Sequence, residues 1–384
     1  MDTELLRERA FIIQKVRAFF DQRFYLETDT PLMAPDLIPE TCLEVFETSW
    51  IPPRGSRQRE EKYWLVPSPE IWMKQLIARH RVNMYQICKC FRNTESQGHL
   101  HNPEFTMLEY YTMDADYLDS LTLTENLFTC LLAHAAILPT AIVPTAATVP
   151  TALQPPFLRI TMEEAFQRWA GFSLAETAAA GPAAMEAEAR RLGLDPRLSS
   201  KEEPWLSSKE EPWLSSKEEP WLSSKEESRL SSDTATLYDL IFIHVVEPSL
   251  PKDKPVAIID YPAFVPCLAR KKTMVLQTQG NAPAAQNPEC FERWELYVNG
   301  IELANCYSEE TNPEEIRRYF EAEAAEKKQN ALVQHRINQD YWKFFLPDFA
   351  GRAFPRCSGV AMGLDRLIMA ITGKKAITGV LPFA

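Results

Sequence analysis

Five residues in one short stretch have types that suit one another: Arg92, Glu104, Phe105, Glu109 and Tyr111. An arginine offers a planar fork that grips a phosphate or carboxylate in bidentate fashion and never loses its charge. Phe105 presents a flat face of the kind a purine stacks on. Glu109 and Tyr111 are two apart, so on a strand they point the same way and together could take a cation. Taken singly, each is equally a surface residue of an amphipathic hairpin. The whole string in this order is what argues for a site.

The elements that must position these residues are legible around them. Tyr85 to Phe91 and Glu104 to Tyr111 alternate apolar and polar residues, which predicts two antiparallel strands. Asn93, Ser96, Gly98, Asn102 and Pro103 between them are turn formers and predict a long polar loop. Upstream, apolar residues recur at helical spacing over residues 4–24, and Tyr25 to Pro31 reads as extended chain stopped by proline. Glu44 to Trp50 and Tyr63 to Val66 read as strands, and Ser68-Pro69-Glu70 opens a helix with Ser68 as its N-cap. Asp114 to Ala147 reads as mostly helical, Thr236 to Val246 as helix and Val256 to Tyr261 as strand. Cys290 to Asn299 and Ile301 to Tyr307 predict a hairpin turning at Asn299-Gly300. Pro313 to Arg336 reads as a long charged helix, and a closing helix follows Gly363.

These pieces resemble a known family. FRN at Phe91–Asn93 followed by HNPEFTMLEYY at His101–Tyr111 is similar to the second signature motif of class II aminoacyl-tRNA synthetases in its lysine-type form. FFDQRFYLETDTPLM (Phe19–Met33) resembles the first motif and GVAMGLDRLIMAITG (Gly359–Gly373) the third. GIELANCYSEETNPEE (Gly300–Glu315) resembles the lysine-type substrate and metal strand. Four separated motifs in the right order cover roughly residues 5–165 and 235–384.

The resemblance implies an α+β fold, a six-stranded antiparallel sheet flanked by helices, and a homodimer built on the first motif. It implies ATP-dependent activation of a carboxylate as an adenylate, with magnesium. Arg92 matches the arginine that holds substrate carboxylate and α-phosphate, and Arg366 the one that closes over adenine and the terminal phosphates. Phe105 is the other face of that sandwich, Gly363 lets backbone approach the nucleotide, and Asn102, Glu302 and Leu303 fall on the ATP side. Glu295 and Glu302 match the magnesium carboxylates, whose hard oxygens suit that ion. Ser68, Pro69 and Glu70 match the contact to the substrate α-amino group. Glu109, Tyr111 and Glu309, with Asn305 nearby, match the surroundings of a lysine ammonium. Thr94 stands where the family usually has a glutamate that reads adenine, and Glu95 in a longer loop could take that role. Ala361 stands where the tRNA-charging enzymes usually have glycine.

That alanine, and a first motif that begins near Leu5 with no anticodon-binding domain before it, match the stand-alone paralogues that attach lysine or (R)-β-lysine to elongation factor P. The readings left open are a truncated lysyl-tRNA synthetase charging tRNA and a non-catalytic regulatory paralogue. On this reading residues 1–384 are one catalytic domain interrupted by an insertion at about 196–233.

Composition agrees. The chain has 384 residues, 45% hydrophobic, enough for a sizeable core, and a net charge of −12 that argues against tRNA as partner. The eight cysteines form no C-x-x-C pair, and Cys88 and Cys90, alternate on a strand, are a poor zinc geometry. Free thiols, a charged N-terminus without an apolar segment, and an apolar run at Leu127–Leu138 too short to span a bilayer predict a cytoplasmic protein without membrane attachment. His99 and His101 form H-x-H with no further ligand near in sequence, so a metal there is the lesser reading. Inside the insertion, LSSKEEPW recurs at Leu198–Trp205, Leu206–Trp213 and Leu214–Trp221. Its period fits neither a helix face nor a solenoid unit, and its composition cannot support a core.

Overall fold

A computed structural model describes residues 3–94, 98–135, 153–196, 233–273 and 289–383. The LSSKEEPW repeats and Glu95 lie outside the described residues, as does the predicted helical stretch beyond residue 135. The chain divides into two compact units. The first comprises Met1–Arg159, Pro251–Tyr261 and Pro266–Ala384; the second, Ile160–Leu250 and Pro262–Val265.

The described strands, in chain order, are β1 (Leu26–Glu27), β2 (Met33–Ala34), β3 (Glu47–Trp50), β4 (Glu61–Leu65), β5 (Met84–Phe91) and β6 (Glu104–Met113), then β7 (Leu158–Thr161), β8 (Val256–Pro262), β9 (Lys271–Thr273), β10 (Glu289–Val298), β11 (Ile301–Ser308) and β12 (Cys357–Gly363). The helices are α1 (Thr3–Asp21), α2 (Glu70–His80), α3 (Tyr117–Ala135), α4 (Met162–Ala165), α5 (Leu174–Ala180), α6 (Pro182–Arg191), α7 (Thr234–Ile241), α8 (Pro313–Asn330) and α9 (Leu364–Thr372).

The α+β class is as expected, with a large central sheet, but its strand count differs: nine rather than six. The long strands form the row β5-β6-β12-β11-β10-β8, and the additions are short. They are β1, which pairs with β5 in parallel, β9, which pairs with β10, and β7, whose first two residues close the first unit. β7 and β9, of four and three residues, carry too little alternation to be read from sequence, whereas β1 lies within the strand read at Tyr25–Pro31. A separate three-stranded sheet, β2-β4-β3, packs around Ala34, Leu37, Val45, Trp64 and Val66.

The faces of the central sheet do different work. Tyr85, Leu108, Tyr110, Val360, Met362, Trp294 and Leu296 point to one side, into a core closed by Ile12, Val16, Phe19 and Phe20 of α1 and by α3 and α9. The other face is only partly covered. There α2, α8 and the turn at Tyr341–Phe345 bury Ile71, Met73, Ile77, Ile316, Phe320 and Tyr341 against Met84, Tyr111 and Cys357. The β10–β11 hairpin turns as predicted, with Asn299 and Gly300 both left-handed at φ 54° and 76°, the conformation of a two-residue hairpin turn.

Several element bounds differ from expectation. α8 ends at Asn330, six residues before Arg336, where Ala331 turns extended. The predicted helix at Thr236–Val246 changes to a π-helical turn at Phe242. Only Leu26–Glu27 of the predicted Tyr25–Pro31 strand pairs with a neighbour. In the second unit, α7 packs by stacking Tyr238 between Phe166 and Phe242, with centroids 5.4 and 6.0 Å away.

One buried ion pair fastens α1 to α9. Arg9 lies 2.6 Å from Asp365, whose side chain is 2% exposed, and donates to Thr106 Oγ1 at 2.8 Å. Asp365 in turn accepts from the Thr106 backbone N–H at 2.6 Å. Arg9→Met strands the aspartate in the core and is expected to cost about 3–5 kcal/mol in urea unfolding. A loss below about 1 kcal/mol would mean that solvent already screens the pair.

Candidate active site

Directly opposed residues in an antiparallel sheet share a face, so register determines what meets on the open side. One row runs Gln86, Glu109, Ala361, Asn305, Glu295 across β5, β6, β12, β11 and β10. The adjacent row runs Met84, Tyr111, Gly359, Tyr307, Arg293. Ala361 therefore sits between Glu109 and Asn305, at about 5 Å per strand. A register shift after Leu296 does one more thing. It sets Glu302 opposite Tyr297, on the side of Glu295, and leaves Leu303 buried in the main core. Glu302 and Asn305 are an odd number of residues apart and would face opposite ways on a regular strand.

Helix α2 brings the acidic wall. Glu70 and Lys74, one turn apart, share a helix face. Lys74 Nζ lies 2.6 Å from Glu70 Oε1 and 2.7 Å from Glu309 Oε2, with the lysine 1% exposed. Ser68 was expected to cap this helix; instead the boundary residue is Pro69, which makes no side-chain cap. Ser68 Oγ accepts from the Glu70 N–H at 3.0 Å and donates to Glu109 Oε2 at 3.1 Å, so it ties the loop to the pocket. Tyr111 donates to Glu109 Oε1 at 2.7 Å. Glu70, Glu109, Tyr111 and Glu309 are thus brought together with Ser68 and Lys74.

Burial governs the electrostatics. It pushes Glu309 up from the usual 4.5 to about 7 against the pull of Lys74, with Glu70 adding to the rise. Burial, then Glu70, hold Glu109 well above the carboxylate range despite its bonds to Tyr111 and Ser68. Burial works to lower the Lys74 ammonium, but Glu309 and Glu70 outweigh it and keep it charged. The buried Glu309 and the half-buried Glu70 thus share one internal cation, and a further ammonium beside Glu309 would favour its ionised form. Gly359 makes this packing feasible. A Cβ there would stand 2.3 Å from Glu309 Oε1 and 2.5 Å from the Tyr111 ring.

The other end of the face is cationic. Arg92 follows β5, lies over the Phe105 ring at 5.2 Å, and has a buried Nε with no hydrogen-bond partner among the described residues. A buried, unspent donor suits an anion. Arg366, in the first turn of α9, donates to the carbonyls of Glu302 at 2.7 Å and Leu100 at 3.3 Å. Glu295 is held by Arg293 and by Tyr297 Oη at 2.8 Å. Withdrawal from water, and then Glu295 nearby, raise the Glu302 carboxyl, while Arg366, Arg92 and Arg293 oppose the rise. Two crowded carboxylates with hard oxygens fit a magnesium ion. At Gly363 an added Cβ would meet only Arg366, at 3.6 Å, so the protein's own packing leaves that position open. Asn102 spends its amide on the Glu104 carbonyl. Thr94 is left-handed at φ 59°, a strained conformation for a β-branched residue, and is exposed. Among the described residues there is no group of three or more His, Cys, Asp or Glu that could hold a metal.

Sequence reasoning missed Lys74, Arg293, Gly359 and Tyr341. Lys74 had a signal, its spacing of four from Glu70. Arg293 had one too, its position two before Glu295 on a strand. Arg293 stacks on Tyr261 at 4.2 Å and Tyr307 at 5.4 Å and donates to Asn305 Oδ1 at 3.3 Å, so it orients the middle of the row. Tyr341 had none, because its approach to the pocket depends on long-range packing.

Residues 2–384 match the family model described as tRNA synthetases class II (D, K and N). The chain is 30% identical over 381 residues to an elongation factor P–(R)-β-lysine ligase of Avibacterium paragallinarum, an alignment that spans 99% of this chain and 95% of that protein.

The raised Glu309 has a consequence for stability. Below pH 4.5 its carboxyl is protonated folded or unfolded. Between about 4.5 and 7 the unfolded chain has released the proton and the native state has not, so stability falls as pH rises through that window. Urea unfolding across pH 4.5–8 is expected to show a shallower fall in Glu309→Gln. An unchanged slope would mean that Glu309 is ionised throughout.

Proposed function

Because the chain belongs to the family of class II tRNA synthetases (D, K and N), we propose that it activates lysine or (R)-β-lysine with ATP and transfers the aminoacyl group to a lysine side chain of elongation factor P. The observation that carries this reading is the polarity of one sheet face. Glu70, Glu109 and Glu309 gather acidic side chains for a substrate with two ammonium groups, and Arg92 carries an unspent donor on the same sheet's cationic end. The likeness to a protein named as an elongation factor P ligase supports the acceptor, and the net charge of −12 disfavours a polyanion.

In the first step a substrate carboxylate oxygen attacks the α-phosphorus and pyrophosphate leaves. In the second, the acceptor amine attacks the acyl carbon, an amide forms, AMP leaves and a proton passes to solvent. This chain's residues act by placement and charge. Arg92 holds the carboxylate against the phosphate. Arg366 and Phe105 hold the nucleotide, with Asn102, Thr94, the Glu302–Leu303 strand and Gly363 around it, and Glu95 as the proposed reader of adenine. Asn305 and Ala361 shape the floor beneath the amino acid, beside Ser68-Pro69-Glu70. Magnesium, held by Glu295 and Glu302, would neutralise phosphate charge.

The proposed setting is the cytoplasm. None of the eight cysteines forms a disulfide, and no described helix is long and apolar enough to cross a membrane. We also propose a homodimer. Phe24, Leu26 and Met33, 92%, 53% and 51% exposed, lie in the first-motif segment, and a second copy would cover them. Sedimentation velocity should give twice the monomer mass; a monomer at micromolar concentration would count against this.

Amino-acid-dependent ATP–pyrophosphate exchange should occur with a lysine isomer, and Arg92→Ala should slow it by about 10²-fold or more. Labelled lysine isomers incubated with elongation factor P or total tRNA then identify the acceptor. Label on tRNA at an equal or greater rate would replace the ligase reading by that of a tRNA-charging enzyme.

A further inference from the structure

Lys74 occupies the space between the two carboxylates that the proposed function gives to the ends of the substrate. Its ammonium contacts Glu70 Oε1 and Glu309 Oε2 together, so those two oxygens lie within reach of a single cation. Neither partner can drift. Lys74 sits on α2, whose Ile71, Met73 and Ile77 are locked in the core with Tyr111 and Tyr341. Glu309 is fixed from the other side, where its Oε1 lies against the place a Gly359 side chain would fill. A third group closes the arrangement from behind. Tyr341 is fully buried, stacked on Phe320 at 4.8 Å, and its hydroxyl has no hydrogen-bond partner among the described residues. It lies within electrostatic reach of Lys74, Glu70 and Glu309.

Each carboxylate spends one oxygen on Lys74 and keeps the other, Glu70 Oε2 or Glu309 Oε1, for a ligand. We propose that Lys74 is a positioning residue that fixes the separation of Glu70 and Glu309 and so selects the length of the diamino acid the pocket accepts. Without it, the two carboxylates lose their shared counter-charge and repel, and the half-buried Glu70 is free to turn away. With it, the two free oxygens keep a set spacing, and an amino acid whose ammonium groups are closer together leaves one of them unpaired. This inference rests on the activation reading for its substrate class.

The test uses Lys74→Met and Lys74→Arg with L-lysine and L-ornithine in pyrophosphate exchange, and calorimetric binding of the same amino acids without ATP. For Lys74→Met, KM for lysine should rise about 10²-fold with kcat within about threefold, the pattern of lost ground-state binding. The preference for lysine over ornithine should shrink by about tenfold or more. Lys74→Arg keeps the charge but moves it, so it should recover affinity in part and shift the preference. A Lys74→Met enzyme that keeps the wild-type preference, or one in which kcat falls at constant KM, overturns the proposal. If Lys74→Met fails to fold, an unchanged preference in Lys74→Arg overturns it. If the wild type shows no exchange but binds lysine, and Lys74→Met does not, activation falls and the positioning role stands. If the wild type binds neither amino acid, both fall.

Discussion

The site depends on a cation that the protein supplies itself. Three glutamates around one recess would be untenable without compensation, since removing a single carboxylate from water costs several kcal/mol. Lys74 supplies one positive charge for Glu70 and Glu309, and Glu109 is stabilised by hydrogen bonds from Tyr111 and Ser68. The compensation is incomplete, as the raised Glu309 and Glu109 carboxyls record. That shortfall is what the proposed binding of an ammonium group would make good. The core behind α2, the glycine at 359 and the register of β11 against β12 keep the acids close enough for the shortfall to persist.

The pocket's two chemistries share one scaffold. The strands that bear Glu109 and Asn305 also carry Phe105 and Glu302 a few residues on, so the acidic recess and the cationic end are set by one backbone register. A slip by one residue on β6 would turn Glu109 into the main core and Leu108 to the opposite face, a change that no side-chain movement could repair. Arg9 and Asp365 guard against such a slip, because Asp365 accepts from the Thr106 backbone in the same strand. An ion pair on the far face of the sheet thereby helps keep the substrate face in register.

Strand alternation made the two halves of the central hairpin readable, and with them Arg92, Phe105, Glu109 and Tyr111. The Asn299-Gly300 turn was readable because two left-handed residues leave few choices of side chain. What escaped was whatever depends on non-local geometry or on breaks in period. The bulge that turns Glu302 to the site leaves no mark in an alternation count; Glu302 was found by resemblance, not by parity. Lys74 looked like an ordinary helix lysine because sequence does not tell which face of α2 meets Glu309, which lies far along the chain. The short β7 and β9 add strands that were not read from the sequence, only Leu26–Glu27 of the strand read at Tyr25–Pro31 pairs, and α8 stops early because Ala331 leaves helical geometry, which its residue type does not foretell.

The strand beneath the recess shows why small residues matter as much as charged ones. On β12 the residues facing the site are Gly359, Ala361 and Gly363, so the middle strand of the face is almost bare of side chains. Flanking strands carry Glu109 and Tyr111 on one side and Asn305 and Tyr307 on the other. The middle strand of this face therefore presents backbone between two polar rows. Gly359 is required by the protein's own packing, since Glu309 and Tyr111 already fill the space a side chain would need. Gly363 is not, since a methyl group there meets only ordinary contact with Arg366.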